Sequence, residues 1–283
     1  MSQLTPQQEP DYPLYEPEPT RDYEPIQPER RWRELGKKLL PPLIAIGALL
    51  AKFKAIAFAI FKFKVFATSA TMLVSIAAYA WIWGWKFAVG FVLLLLVHEL
   101  GHVFELRRQG VPASAPLFIP FLGAVVGMKQ MPADAWREAR VALAGPIVGS
   151  LGAAAVWAVG EALDSELLVA LAFTGFFINL FNLLPIVPLD GGRAVAAIHP
   201  GLWALGLAGL VGLTLWHPNP ILILILVVGG LELWHRWRAR GTPEGADYYR
   251  VKPWQRLTAG AVYIGLAAVL AVAMTATHVE RTF

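Results

Sequence analysis

The sequence predicts an all-α polytopic membrane protein, with about six to seven transmembrane helices and a candidate re-entrant β-hairpin near 112–130. Three observations predict it. Only 16% of the 283 residues are charged and 57% are hydrophobic, whereas a soluble domain carries about 25% charged residues. The apolar residues are gathered into long uncharged blocks, the signature of segments that cross a bilayer. The Lys and Arg residues, finally, collect beside alternate blocks, which is how charge is distributed around spanning helices. The chain has no cysteine, so it has no disulfide framework, and any metal must be held by nitrogen and oxygen ligands.

The elements follow in order. Residues 1–30 hold seven prolines and seven carboxylates with no apolar run, so they cannot bury enough surface to offset ordering entropy and read as a disordered acidic, Pro-rich tail. No cleavable signal peptide is visible in this polar start, and the first span is expected to direct insertion. Residues 31–65 are basic and aromatic. Arg30, Arg31, Arg33, Lys37 and Lys38 precede Pro41-Pro42, and Lys52, Lys54, Lys62 and Lys64 interleave with Phe53, Phe58, Phe61 and Phe63. That segment is interrupted too often for a span of roughly 20 apolar residues and reads as an amphipathic piece on the membrane surface.

Seven spans are then predicted, at 66–85, 87–106, 141–160, 167–189, 201–216, 219–234 and 257–277. The pair around His217-Pro218-Asn219-Pro220 is short enough to be a re-entrant hairpin instead. With the N-terminus in the cytoplasm, 22 of the 24 Lys and Arg residues fall inside, and the outer loop 161–166 carries Glu161, Asp164 and Glu166, as the positive-inside rule requires. Tryptophans such as Trp81, Trp83, Trp85, Trp216, Trp234 and Trp254 fall at predicted interfaces, an anchoring belt. The organisation expected is therefore a tail (1–30), a surface segment (31–65), a transmembrane core (66–195) and C-terminal transmembrane helices (196–283). The bilayer is the expected partner and nucleic acid is not. The Ala-, Leu- and Trp-rich composition points to a bacterial inner membrane.

Residues 112–130 are neither helix nor ordinary loop. Pro112, Pro116 and Pro120 break helices, and Phe118 to Met128 suits short strands turning near Gly123. Two readings stand side by side: a re-entrant hairpin, tolerated at membrane depth only beside protein or a cavity, or a cytoplasmic loop with an apolar patch.

The chemistry is concentrated at His98-Glu99-Leu100-Gly101-His102. On a helix, positions i and i+4 share a face, so both imidazoles reach one metal, and Glu99 projects beside it to take a proton from a metal-activated water. Random placement of this chain's His and Glu would give such a match roughly 0.006 times, so the pattern is informative. It follows an uncharged apolar run, where ionisable groups are costly and usually functional. A third ligand is needed. Glu105 lies close to the same face, but three ligands from one short stretch of helix give poor tetrahedral geometry. His199 and His235 fall on the same side of the membrane. Asp190 ends the run 167–189, where Pro185 and Pro188 break the helix and Gly191-Gly192 free the backbone. On chemistry alone Asp190 is balanced between a ligand and an N-cap for a helix starting near Arg193.

Residues 98–102, together with Asn182-Leu183-Leu184-Pro185-Ile186-Val187-Pro188-Leu189-Asp190-Gly191-Gly192, resemble the paired motifs of the site-2 protease family, which are His-Glu-x-x-His on one span and Asn-x-x-Pro-x-x-Pro-x-Asp-Gly on a later one. Ala144-Gly145-Pro146 is similar to that family's small-residue turn before the third span. The resemblance covers roughly 66–195, with no evident PDZ or CBS domain. It implies a zinc metalloendopeptidase that cuts a transmembrane-helix substrate within or near the membrane and holds one Zn2+ per chain. It implies His98, His102 and Asp190 as the metal ligands and Glu99 as general base, with Asn182 facing the substrate carbonyl or oxyanion. Asn179, one turn earlier, reads as interhelical hydrogen-bond glue. Two rival classes are a non-catalytic homologue that binds membrane proteins and a zinc transporter, whose ligands would be strung along a path through the membrane.

Overall fold

The computed structural model describes residues 66–128 and 130–278, with residues 40–42, 44, 49, 52 and 62 before them. The expected tail (1–30) lies outside the described residues, as does nearly all of the basic segment 31–65. The chain divides into two compact units, Met1–Phe58 and Ala59–Phe283. In the first, the described residues are helical and exposed. Everything below concerns the second.

Its elements are α1 (Phe66–Trp83), α2 (Trp85–Arg108), β1 (Leu117–Ile119), β2 (Gly123–Val125), α3 (Ala135–Ala162), α4 (Glu166–Asn182), α5 (Asp190–Ile198), α6 (Leu202–Trp216), α7 (Pro220–Ala239), α8 (Pro243–Tyr248) and α9 (Pro253–Ala276). Five of these (α1, α2, α3, α7 and α9) are long and apolar enough to cross a membrane, and α4 and α6 are shorter apolar helices. The protein is an all-α polytopic membrane protein with one small β-hairpin.

Burial sorts the helices. In α2, 56% of the most apolar window is buried, against 11% in α1, α7 and α9. So α2 lies in the centre, and the others turn most of their apolar side chains outward, where lipid would cover them. Gly84, with φ of +81°, takes a backbone shape other residues avoid and separates α1 from α2. The two helices then pack through Tyr79 against Phe91 and Trp83 against Phe87. The opposite side of α2 meets α3 and α4 through small residues: a Cβ at Gly101 would lie 2.4 Å from the Ala144 carbonyl oxygen of α3, and one at Gly175 of α4 would lie 3.2 Å from the Leu94 Cδ1. Small residues let membrane helices approach to backbone contact.

Several boundaries differ from the sequence reading. The third span begins earlier, because Asp134 caps α3 by accepting from the Arg137 N–H at 2.8 Å. Ala144-Gly145-Pro146 is therefore not a turn before a span but lies inside α3. The fourth span stops at Asn182 rather than 189, since Pro185 and Pro188 supply no amide hydrogen to continue it. The segment around His217-Pro218-Asn219 joins two helices, with Asn219 capping α7 by accepting from Ile221.

The hairpin exists. β1 and β2 pair antiparallel with Leu117 opposite Val125, Phe118 opposite Ala124 and Ile119 opposite Gly123. One polar face of α1 serves its first strand: Thr68 donates to the Pro116 carbonyl at 2.8 Å, the Phe118 N–H donates to Thr71 at 3.3 Å, and the Phe121 N–H donates to the Tyr79 hydroxyl at 3.0 Å. Thr68 and Tyr79 are 11 residues apart, about 16 Å along a helix. The hairpin thus runs beside most of a span-length helix.

Candidate metal centre

His98 and His102 face one way from the middle of α2, one turn apart, and both are buried. Their outer nitrogens are spoken for. His102 Nδ1–H donates to the Val141 carbonyl on α3 at 2.8 Å. His98 Nδ1–H donates to Asn179 Oδ1 on α4 at 2.7 Å. The Asn179 amide is oriented by its other end, since Nδ2–H donates to the Gly175 carbonyl at 2.8 Å. These two bonds fix both tautomers, leaving each Nε2 with a bare lone pair pointing inward.

The two Nε2 atoms are 3.1 Å apart, and Asp190 Oδ2 lies 3.1 Å from each. Asp190 reaches them because the chain breaks after α4 and restarts there as α5. Asp190 is the first residue of α5 and Leu189 its N-cap. The N-cap reading of Asp190 is thereby corrected, and its carboxylate turns to the histidines instead. In the neutral imidazole tautomers that carry their proton on Nδ1, the two Nε2 atoms and Asp190 Oδ2 are three lone-pair donors facing one another at 3.1 Å. A cation between them resolves that repulsion. Zinc–ligand distances of about 2.0–2.1 Å place tetrahedral ligand atoms about 3.3 Å apart, so the donor set fits zinc.

Glu99 is buried in the same place, and His98, Glu99 and His102 bring ligand-type atoms within 4.8 Å of one another. The site takes its shape from α3 as well. A Cβ at Gly145 would lie 2.2 Å from His102 Nε2, and one at Gly149 would lie 2.4 Å from Asn179 Oδ1, so this face of α3 must be bare for the two side chains to occupy their places.

The other sequence candidates lie elsewhere. Glu105 accepts from Arg108 and Gln109 and pairs with Arg140 at 2.6 Å, a clamp between α2 and α3. His199 ends α5, exposed, with Nδ1 accepting from the Gly201 N–H at 3.0 Å. His235 is exposed on α7. Asn182 is half-buried at the end of α4, and among the described residues no hydrogen bond reaches its side chain. Asn179 proved to be the asparagine in contact with the site. Its interhelical role was legible from its position, but its partner was not.

Residues 86–165 match peptidase family M50. Over that segment the chain is similar to the site-2 protease family. It is 34% identical over 119 residues to the zinc metalloprotease MJ0392 of Methanocaldococcus jannaschii, covering 39% of this chain and 34% of that protein. It is 33% identical over 162 residues to Rip3 of Mycobacterium tuberculosis, covering 53% of this chain and 40% of Rip3. It is 28% identical over 155 residues to the chloroplastic EGY1 of Arabidopsis thaliana, covering 38% and 28%. The chain thus matches well under half the length of each of these relatives. The matched segment contains His98, Glu99 and His102 and ends before Asp190.

Proposed function

We propose that the chain is a zinc-dependent intramembrane endopeptidase of the site-2 type, hydrolysing a peptide bond within or near a transmembrane helix of a membrane-protein substrate. The observation that carries this reading is the triangle of His98 Nε2, His102 Nε2 and Asp190 Oδ2, each 3.1 Å from the other two, with Glu99 beside it. Three donors converging on one point support a catalytic centre over a transport path, which would need ligands at successive depths. Retention of Glu99 supports an enzyme over a binding homologue.

The residues divide the work. His98, His102 and Asp190 hold the metal and leave a position for water and substrate. Zinc bound there supplies a Lewis acid that polarises the scissile carbonyl and acidifies a water. Glu99 accepts the proton of the attacking water and returns it to the leaving amine nitrogen. Asn182, at the end of α4, would hold the substrate carbonyl or its oxyanion.

A substrate helix hides its carbonyls in its own hydrogen bonds and must become extended before attack, and β2 offers such a peptide a partner. The outward Phe118 N–H is taken by Thr71, so Phe118 and Ala124 form a non-hydrogen-bonded pair, and the Ala124 N–H and C=O point away from β1. No hydrogen bond among the described residues takes the Ala124 N–H or C=O, and such an edge suits strand addition. The charge distribution supports a cytoplasmic N-terminus and a site opening toward the cytoplasm, in a bacterial inner membrane.

The test is cleavage of a reconstituted single-span substrate. Glu99→Gln is expected to keep its zinc and lose roughly a hundredfold to ten-thousandfold in rate. Undiminished cleavage by that variant would refute the assignment of Glu99, and absence of any cleavage by a zinc-loaded wild type across a panel of single-span substrates would favour the binding homologue.

A further inference from the structure

The segment that presents Asp190 has an unusual anatomy. Residues 183–189 join α4 to α5 and contain two prolines, so the segment is short of amide hydrogens for its own carbonyls. Internally, Ile186 donates to Leu184 and Leu189 donates to Ile186. The carbonyls at its two ends are served from far along the chain. The Tyr263 hydroxyl, on α9, donates to the Leu183 oxygen. The Trp203 indole N–H, on α6, donates to the Gly192 oxygen at 2.7 Å, and Trp203 is among the most completely buried side chains. Two bare helix positions press on the segment from outside. A Cβ at Gly206 of α6 would lie 2.2 Å from the Pro185 oxygen, and one at Gly229 of α7 would lie 2.3 Å from the Val187 oxygen. The two ends also touch, for a Cβ at Gly191 would lie 2.1 Å from the Leu183 oxygen.

We infer that α6, α7 and α9 form a brace for the third metal ligand, with Tyr263 and Trp203 as positioning residues that clamp the two ends of the 183–192 segment and thereby set where Asp190 stands. The inference rests on the reading of Asp190 as a ligand. The physical reason is strict. A metal site tolerates errors of about 0.2 Å in ligand position, and Asp190 opens α5 directly after a seven-residue link with two prolines, so the start of α5 is only as well placed as the contacts that hold that link. Buried carbonyls without donors are also costly, so each donated hydrogen bond selects one shape of the segment. All of the bracing residues lie beyond the matched family segment 86–165, which supplies two histidines but not the carboxylate. Tyr263 and Trp203 both donate to backbone carbonyls. Each acts through the backbone, as partners behind a ligand do.

The experiment uses the full chain in detergent. Zinc affinity is measured by competition with a chromophoric chelator, and the ligand-field absorption of the Co2+-loaded protein is recorded, for wild type, Tyr263→Phe, Trp203→Phe and Asp190→Ala, and for each aromatic variant combined with Asp190→Ala. Tyr263→Phe removes a single oxygen, and it carries the test if Trp203→Phe fails to fold. The expected result is zinc affinity lowered about tenfold or more by each aromatic change, with an altered Co2+ spectrum and unchanged helicity. In the Asp190→Ala background the same changes should cost nothing further. Full affinity and an unaltered spectrum in Tyr263→Phe would overturn the brace while leaving Asp190 as ligand. An equal loss with and without Asp190 would also overturn it, because the effect would not pass through the carboxylate. Unchanged affinity in Asp190→Ala alone would overturn the ligand reading and the brace with it.

Discussion

Asn179 Oδ1 accepts the Nδ1–H of His98 at 2.7 Å, across the contact between α4 and α2. This bond selects the tautomer in which Nε2 is free to bind a metal, and it fixes the ring plane. Partners of this kind change metal affinity by about tenfold to a hundredfold when removed. Asn179→Ala is therefore expected to weaken zinc binding by that factor with the helices intact, and Asn179→Asp, which keeps an acceptor toward Nδ1, should restore much of it. Chelator competition on the purified variants checks both.

Gly145 makes a sharper case. Its missing side chain is the space that His102 Nε2 occupies, and an added methyl carbon would lie 2.2 Å from that atom. Gly145→Ala adds helix propensity to α3, yet it should displace the imidazole and lower zinc affinity at least as far as Asn179→Ala. Metal analysis together with circular dichroism separates the two effects: the helix signal is kept and the metal is lost.

The free edge of β2 gives a test of substrate docking. Proline at position 124 removes the outward N–H without touching the metal ligands. Ala124→Pro is expected to retain wild-type zinc content and to raise KM for a single-span substrate by about an order of magnitude, as one or two lost hydrogen bonds would. Unchanged kinetics would remove the hairpin from the mechanism.

Glu138 holds the ends of several helices together. It is fully buried on α3 and accepts from Arg193 of α5 at 3.2 Å, Arg236 of α7 at 2.9 Å and Tyr248 of α8 at 2.8 Å. Removing the carboxylate takes the ion-pair partner from Arg193 and leaves Arg236 only Glu232 at 3.0 Å, and breaking a buried pair in this way costs about 3–5 kcal/mol. Glu138→Ala should lower the unfolding temperature measurably in detergent. Burial, with the neighbouring Glu138 carboxylate second, raises the Tyr248 hydroxyl well above its ordinary 10.0. A raised folded value gives stability that is full below pH 10 and is lost as pH climbs from there through the folded value. Thermal scans from pH 8 upward should show that loss in wild type and show it reduced in Tyr248→Phe.

Much of this was legible in the sequence, for local reasons. The i, i+4 spacing of His98 and His102 dictates a shared face on any helix. Uncharged blocks of span length dictate membrane helices. Pro185 and Pro188 dictate that α4 cannot continue to Asp190. What the sequence left open depended on contacts between distant residues. Asp190 was balanced between cap and ligand until α5 was seen to begin at that residue, with its carboxylate turned to the rings. Asn179 was legible as a polar residue seeking a partner across helices, but nothing local named His98. Ala144-Gly145-Pro146 was read as a turn by similarity to the family motif, whereas α3 carries Pro146 within its length and sets the adjacent glycine against His102. Trp203 and Tyr263 carried no local signal, since an indole N–H and a phenol hydroxyl announce a partner without saying which carbonyl it is.

One metal held between α2 and α5 is the centre of the proposed chemistry. The most direct measurement is zinc per chain in the purified protein, by elemental analysis, for wild type and Asp190→Asn. The account predicts about one zinc in the wild type and loss of most of it in the variant under the same dialysis. A variant that keeps its full zinc, or a wild type that holds none after growth with zinc supplied, would contradict it.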